Sequence, residues 1–281
     1  MKYGISAICY ESGVPITKNL HIPAREGISI IELNADKPSA FPLEDPAFIP
    51  SLKAEIVRLG ITVNSIHSPI HNSISDPNPA VRNQGVDEII HTMEQCIPIA
   101  ELFTTPVKVI IHPGHHTART SNYIQAEYCF ESLGKILTHP VSQNYRICVE
   151  NMLSSHFGGR PGEIVDIIKK FPQGAIGACL DTSHSVYDSS PEEFLDAVFP
   201  WLETTHISDN FNQSAGEYHA IPFTIRHSKV NWEQFFRKLS TRLDTAVFEV
   251  IRPRQVDMDI FTRMFKCSLE QIERWINNTG A

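Results

Sequence analysis

The sequence predicts one (β/α)8 barrel over residues 1–281, with no second domain. Three observations carry this. Eight short apolar runs recur along the chain, stretches of helical periodicity alternate with them, and no linker or low-complexity segment divides the sequence. Eight strand–helix units in 281 residues suit a closed barrel. The alternative is a doubly wound open sheet, which usually contains fewer strands.

The strand runs are YGISAI (3–8), SIIELN (29–34), ITVNSI (61–66), VKVIIH (107–112), YRICVE (145–150), IGACLD (176–181), TTHISD (204–209) and AVFEVI (246–251). They are rich in Ile, Val and aromatic residues and nearly continuous in apolar character, as parallel strands buried on both faces require. PAFIPSLKAEIVRLG (46–60) has apolar residues at helical spacing and stops at Gly60. PNPAVRNQGVDEIIHTMEQCIPIAELF (77–103) is a longer helical stretch that Pro98 kinks or divides. NYIQAEYCFESLGKILTHP (122–140) closes at Pro140. PGEIVDIIKKF (161–171) and PEEFLDAVF (191–199) start with proline in the first turn, and the second adds two early acids that suit the helix dipole. NWEQFFRKL (231–239) and a last helix from about Asp259 to Asn277 complete the set. The segment after the first run, with two prolines, shows no clear element. The stretch from Phe211 to Lys229 shows none either, and loops of that length tend to be functional.

The formal net charge is −8, from 32 acidic and 24 basic residues, and no dense Lys/Arg cluster appears. A protein built to grip a polyanion usually shows the opposite balance, so nucleic acid is the less favoured partner. Cys9, Cys96, Cys129, Cys148, Cys179 and Cys267 form no CxxC pair, and three of them sit in apolar runs as core thiols of a reducing compartment do. The N-terminus MKYGISAICYESG is too short and polar for a secretory signal, and no apolar run approaches the ~20 residues that span a bilayer. A soluble cytoplasmic protein is the expectation. The oligomeric state stays open.

The polar residues at the C-terminal ends of the runs carry the chemistry. The third run ends at His67, the fourth at His112, the fifth at Glu150 and the sixth at Asp181, with His184 three positions on. The seventh carries His206, the loop after it brings Glu217 and His219, and the eighth carries Glu249. Each has an ordinary reading: Asp181 in ACLDTSHS can cap a turn, and a lone strand-end histidine is more often structural than a ligand. Carboxylates that follow apolar strand residues, such as Glu150 after Val149 and Glu249 between Phe248 and Val250, are harder to dismiss. An ionised carboxylate buried without a partner costs several kcal/mol, so a cation or strong donors must lie close. In a barrel these ends converge on one face. Imidazole and carboxylate together suit Zn²⁺, Mn²⁺, Fe²⁺ or Co²⁺, with Mg²⁺ also in range, better than Ca²⁺.

The ordered motifs IHSP, IIHPGHH, VEN, CLDTSHS, HISDN, EYH and FEV resemble the xylose-isomerase-like TIM-barrel superfamily. That group includes sugar-phosphate isomerases and epimerases, ketose 3-epimerases and the endonuclease IV type of apurinic endonuclease. The likeness covers nearly the whole chain and is strongest from His67 to Glu249. The epimerase branch implies one divalent metal on Glu150, Asp181, His206 and Glu249, with the two glutamates moving protons on opposite faces of the substrate. The endonuclease branch implies three zinc ions on His67, His112, Glu150, Asp181, His184, His206, Glu217, His219 and Glu249. Glu217 stands where that branch has aspartate. HAIPFTIRHSKVNW also lacks that branch's Gly-rich turn.

The resemblance therefore implies one to three divalent ions per chain and a sugar or sugar phosphate as substrate. The expected activity is isomerisation or epimerisation through an enediolate, with Glu150 and Glu249 as proton acceptor and donor. His184 is expected to orient a substrate hydroxyl or bind a second metal. Arg252 is expected to meet an anionic substrate group or solvent, as is Arg226, and Glu32 to position substrate or cap a turn. His71, His115 and His116 read as donors behind the ligands or as loop residues, and Phe211 and Trp232 as pocket wall or core. Lys108 and Arg146, at strand starts, read as structural. The alternative activity is phosphodiester cleavage of the endonuclease IV kind, and a noncatalytic barrel is a third reading.

Overall fold

The computed structural model describes residues 1–10, 13–114, 122–186, 189–210, 219–224, 228 and 230–277. Its eight strands are β1 (Lys2–Ser6), β2 (Ile30–Asn34), β3 (Thr62–His67), β4 (Val107–Ile111), β5 (Tyr145–Glu150), β6 (Gly177–Asp181), β7 (Leu202–His206) and β8 (Thr245–Phe248). Each pairs in parallel with its neighbour from β1 through β7, and β8 pairs with β1. Ile207 N–H donates to Val247 O at 2.9 Å, which brings β7 against β8 and closes the (β/α)8 barrel.

The helices are α1 (His21–Arg25), α2 (Phe48–Leu59), α3 (Pro79–Gln95), α4 (Ile97–Ala100), α5 (Asn122–Thr138), α6 (Pro161–Lys170), α7 (Pro191–Val198), α8 (Trp232–Leu239) and α9 (Met258–Asn277). Their ends follow local chemistry. Gly60 caps α2 at φ 64°, a left-handed conformation that suits glycine. Ser190 and Glu193 close a capping box on α7. The stretch 77–103 divides near Pro98, which lacks the N–H that a helix interior needs but fits the first turn of α4. α8 buries Trp232, Phe235, Phe236 and Leu239, one helical stripe, against the barrel. The segment after β1 holds two short 3-10 turns and α1. β7 starts and ends earlier than its 204–209 run, because Asp209 leaves the ladder to bridge Ala220. No helix among the described residues is long and apolar enough to cross a membrane.

Side chains alternate in direction along each strand, so every second residue enters the barrel. β4, β5 and β6 thereby stack three interior layers. Ile110, Cys148 and Cys179 touch one another in the middle, apart from the main core between strands and helices. Below them lie Lys108, Arg146 and Gly177, and above them His112, Glu150 and Asp181. In the lower layer Lys108 Nζ donates to Asn64 Oδ1 at 3.1 Å, Asn64 Nδ2 to Thr204 Oγ1 at 3.1 Å, and Arg146 pairs with Glu203 at 2.9 Å. A Cβ on Gly177 would overlap the Glu203 side chain, so the absent side chain makes room for that pair.

Two strands are irregular. Pairing shifts between Ile31 and Glu32 against β3, leaving Asn64 unpaired, and between Ala178 and Cys179 against β7, leaving Glu203 unpaired. Each is a bulge with one extra residue. The bulge on β3 lets Asn64 and Ser65 both face inward.

Candidate metal centre

Four strand ends supply the centre. Glu150, Asp181 and His206 close β5, β6 and β7, and Glu249 follows β8. All four are buried, and one ligand atom from each lies within 4.8 Å of the others. His206 Nδ1 is 3.0 Å from Glu150 Oε1 and 3.2 Å from Glu249 Oε2. Among the described residues, Asp181 Oδ2 has no hydrogen-bond partner, and Glu150 Oε1 and His206 Nδ1, although close, make no hydrogen bond of good geometry. Such atoms are costly unless something satisfies them, and carboxylate and imidazole facing each other form a donor set that suits a transition metal or zinc.

Two further groups share these ligands. His67 joins Glu150 and His206, and His184 and His219 join Asp181, each set within the same 4.8 Å limit. His112 Nε2 lies 3.1 Å from both His67 Nε2 and Glu150 Oε2. Three of the histidines meet backbone carbonyls through Nδ1: Nδ1–H of His67 donates to Ser68 O at 2.9 Å, that of His184 to Asn151 O at 2.8 Å, and that of His219 to Glu249 O at 3.1 Å, with Ser208 Oγ also 2.9 Å from His219 Nδ1. These bonds put the proton on Nδ1 and leave Nε2 as the basic nitrogen.

Asp181 satisfies both of its sequence readings. Oδ1 accepts the His184 N–H at 2.8 Å, as a turn cap does, while Oδ2 points into the cluster. The Asn151 side chain holds the strand end, accepting from Asp181 N at 2.8 Å and donating to Asp181 O at 2.9 Å.

Without a cation, protons must balance the buried carboxylates. Burial opposes charge on His206, but Glu150, Glu32 and Glu249 around it push its imidazole well above the usual range. Burial likewise opposes charge on His67, and Glu150, Glu249 and Glu32 overcome it, lifting the group to about 9. Burial alone dominates at His112, which falls below its ordinary value. Burial disfavours ionised Glu150 as well, yet His206 and His112 hold its carboxyl well below normal. Glu249 is raised by burial despite His206 and His219.

A cavity of about 340 Å³ opens above the cluster. His67, His112, His184 and Glu249 floor it, and Asn34, Asp36, Lys37, Ile70 and His71 contribute to its wall. Asn34, Asp36 and Lys37 were not singled out in the sequence, although ELNADK leaves β2 with three polar groups that signal a site wall. Asn151 also went unnoticed, hidden in the motif that contains Glu150.

Other expected site residues lie elsewhere. Glu32 is fully buried beneath the cluster, accepting from Ser65 Oγ at 2.7 Å and His206 Nε2 at 2.8 Å, and is not among the cavity-lining residues. Arg252 donates to the carbonyls of Cys9 and Val256, at 3.4 and 2.6 Å, which occupies its guanidinium beside the cavity wall rather than in it. Trp232 packs on Phe235 and Phe236 as core. Lys108 and Arg146 lie in the lower layer. Glu217, His115, His116, Phe211 and Arg226 lie outside the described residues.

A sequence profile described as the xylose isomerase-like TIM barrel matches residues 22–255. The chain belongs to that family. An uncharacterized protein of Methanocaldococcus jannaschii is 26% identical over 243 residues, 85% of this chain and 84% of its own. Among solved structures, a D-tagatose 3-epimerase-like protein superposes with TM-score 0.79 at 20% identity, covering 100% of both chains. Endonuclease IV from Thermus thermophilus superposes with TM-score 0.66 at 17% identity, covering 96% of this chain and 100% of its own. At such identities the likenesses speak for the fold. This xylose isomerase-like barrel thus has neighbours named as a 3-epimerase-like protein and as endonuclease IV, and its buried His, Asp and Glu clusters could hold metal.

Proposed function

We propose that the chain is a metal-dependent isomerase or epimerase of a sugar or sugar phosphate. The reading rests on one observation: Glu150, Asp181, His206 and Glu249 converge below a cavity of about 340 Å³, a size that suits a small polyol. A divalent ion held by these four would supply Lewis acidity toward a carbonyl oxygen and the neighbouring hydroxyl. The two glutamates then differ in role. Glu249 lines the cavity and can take a proton from a carbon beside the carbonyl; isomerisation delivers it to the adjacent carbon of the enediolate, whereas epimerisation needs a second donor on the opposite face. Glu150, completely buried among four histidines, is the weaker candidate for direct proton transfer and the stronger one for ligation. His184, on the cavity floor, can hydrogen-bond a substrate hydroxyl or hold a second ion.

The test is exchange. Ketoses and ketose phosphates deuterated beside the carbonyl should lose label to water when incubated with protein loaded with Mn²⁺ or Zn²⁺. Glu249→Gln should slow that loss by about 10²–10⁴-fold in folded protein assayed at saturating metal. Unchanged exchange in the variant removes Glu249 from proton transfer.

A second reading has its own support. The two flanking groups around His67 and His184 favour a multinuclear site and phosphodiester cleavage. About three metal ions per chain in protein purified without chelator, together with incision of duplex DNA at an abasic site and no exchange in any sugar, would favour that activity.

A further inference from the structure

We propose that Glu32 is a positioning residue whose buried carboxylate fixes the tautomer and direction of His206, so that Nδ1 rather than Nε2 faces the ligand cluster. The inference rests on the metal centre proposed above and assigns Glu32 a task other than contact with substrate.

His206 differs from its neighbours. His67, His184 and His219 are each oriented through Nδ1 by a backbone carbonyl. His206 is instead held through Nε2 by a side-chain carboxylate, Glu32 Oε2, at 2.8 Å. An oxygen of an ionised carboxylate can only accept, so Nε2 carries a proton, and in the neutral ring that a metal requires the lone pair is on Nδ1. Nδ1 is buried, makes no hydrogen bond of good geometry among the described residues, and lies 3.0 Å from Glu150 Oε1 and 3.2 Å from Glu249 Oε2. A carboxylate behind a ligating imidazole sets the ring angle and raises the basicity of the other nitrogen.

Glu32 is itself held. Ser65 Oγ–H donates to the same oxygen at 2.7 Å, and the bulge on β3 is what brings Ser65 level with Glu32. Glu32 shows no exposed surface and is not among the residues lining the cavity, so a substrate above the floor does not reach it. A carboxylate this deep needs a reason, and orienting the one histidine shared by two of the three ligand groups supplies it.

The test uses the full chain and zinc alone. Glu32→Gln keeps an acceptor for Nε2–H and removes the charge. Glu32→Ala removes both, and Ser65→Ala loosens Glu32 without touching His206. Zinc affinity would be measured by competition with a fluorescent chelator, and the absorption spectrum of the Co²⁺-loaded protein would report the ligand field. Thermal unfolding of the chelator-treated protein would report the fold. Expected are a 10–100-fold weaker zinc equivalent and a changed Co²⁺ spectrum in Glu32→Gln, a larger loss in Glu32→Ala and a smaller one in Ser65→Ala, with metal-free unfolding of Glu32→Gln close to native. Where Glu32→Ala does not fold, the other two variants carry the comparison. Native-like zinc affinity and Co²⁺ spectrum in folded Glu32→Gln would overturn the inference and leave the metal centre standing. A native protein that takes up no zinc would remove the centre, and this role of Glu32 with it.

Discussion

The two ends of the barrel interior are both polar, yet they solve the cost of that polarity in opposite ways. At the lower end Lys108, Asn64, Thr204, Arg146 and Glu203 partner one another, and the Arg146–Glu203 pair is partly open to solvent, with side-chain exposures of 23% and 32%. At the upper end Glu150, Asp181 and His206 are sealed away, and each keeps an atom that makes no hydrogen bond of good geometry among the described residues. The same strands supply both layers. Polar groups that satisfy each other are adequately explained as structure, whereas buried groups left unsatisfied in a converging geometry point to a missing partner.

The comparison breaks most visibly on metal removal. A cation held at 100 to 1,000 times its dissociation constant stabilises the fold by about 2.7–4.1 kcal/mol. Thermal unfolding with and without chelator should therefore differ by several degrees. Identical curves, with metal shown by elemental analysis to have left, would mean the upper layer is satisfied without it. A smaller effect is expected below: Gly177→Ala pushes a methyl into the Glu203 side chain and should cost about 1–3 kcal/mol by denaturant unfolding, with zinc affinity unchanged. Loss of zinc binding in that variant would show that the two ends are energetically one unit.

A graded effect is a pH dependence. His67 is lifted to about 9 in the metal-free cluster, and a ligand must be neutral. Below that pH a proton must leave for metal to bind, so this group alone weakens apparent zinc affinity by up to about tenfold per unit of falling pH. Above it the contribution vanishes. Competition titrations between pH 7 and 10 check the sign, and an affinity that rises as pH falls would contradict it.

Much of the upper end was legible in the sequence because an acid closing an apolar run, as at Glu150 and Glu249, is conspicuous when strands are read as doubly buried. The order of strands and helices was legible for the same reason: the apolar runs are short, frequent and separated by proline and glycine signals. The start of β7 was not, since Pro200 and Trp201 mask it while TTHISD alternates like a strand beyond the true end. Glu32 was visible as a strand-end acid, but its direction was not. Whether a carboxylate faces a cavity or the back of a histidine depends on pairing register, and that register shifts at Asn64. Arg252 looked available because sequence does not reveal that two backbone carbonyls take up its guanidinium.

Asn64 and Glu203 stand outside the regular pairing of β3 and β7, and each gives its side chain to the network at the bottom. A bulge accommodates its extra residue locally, so the pleat above it keeps its phase. Excision of Asn64 or Glu203 would remove a lower side chain while His67 and His206 still faced the lumen. Excision of one regularly paired residue between the bulge and the strand end would instead turn His67 or His206 toward the helices. The irregularities thus act as expansion joints, letting the floor of the barrel vary without rotating the chemistry at its mouth.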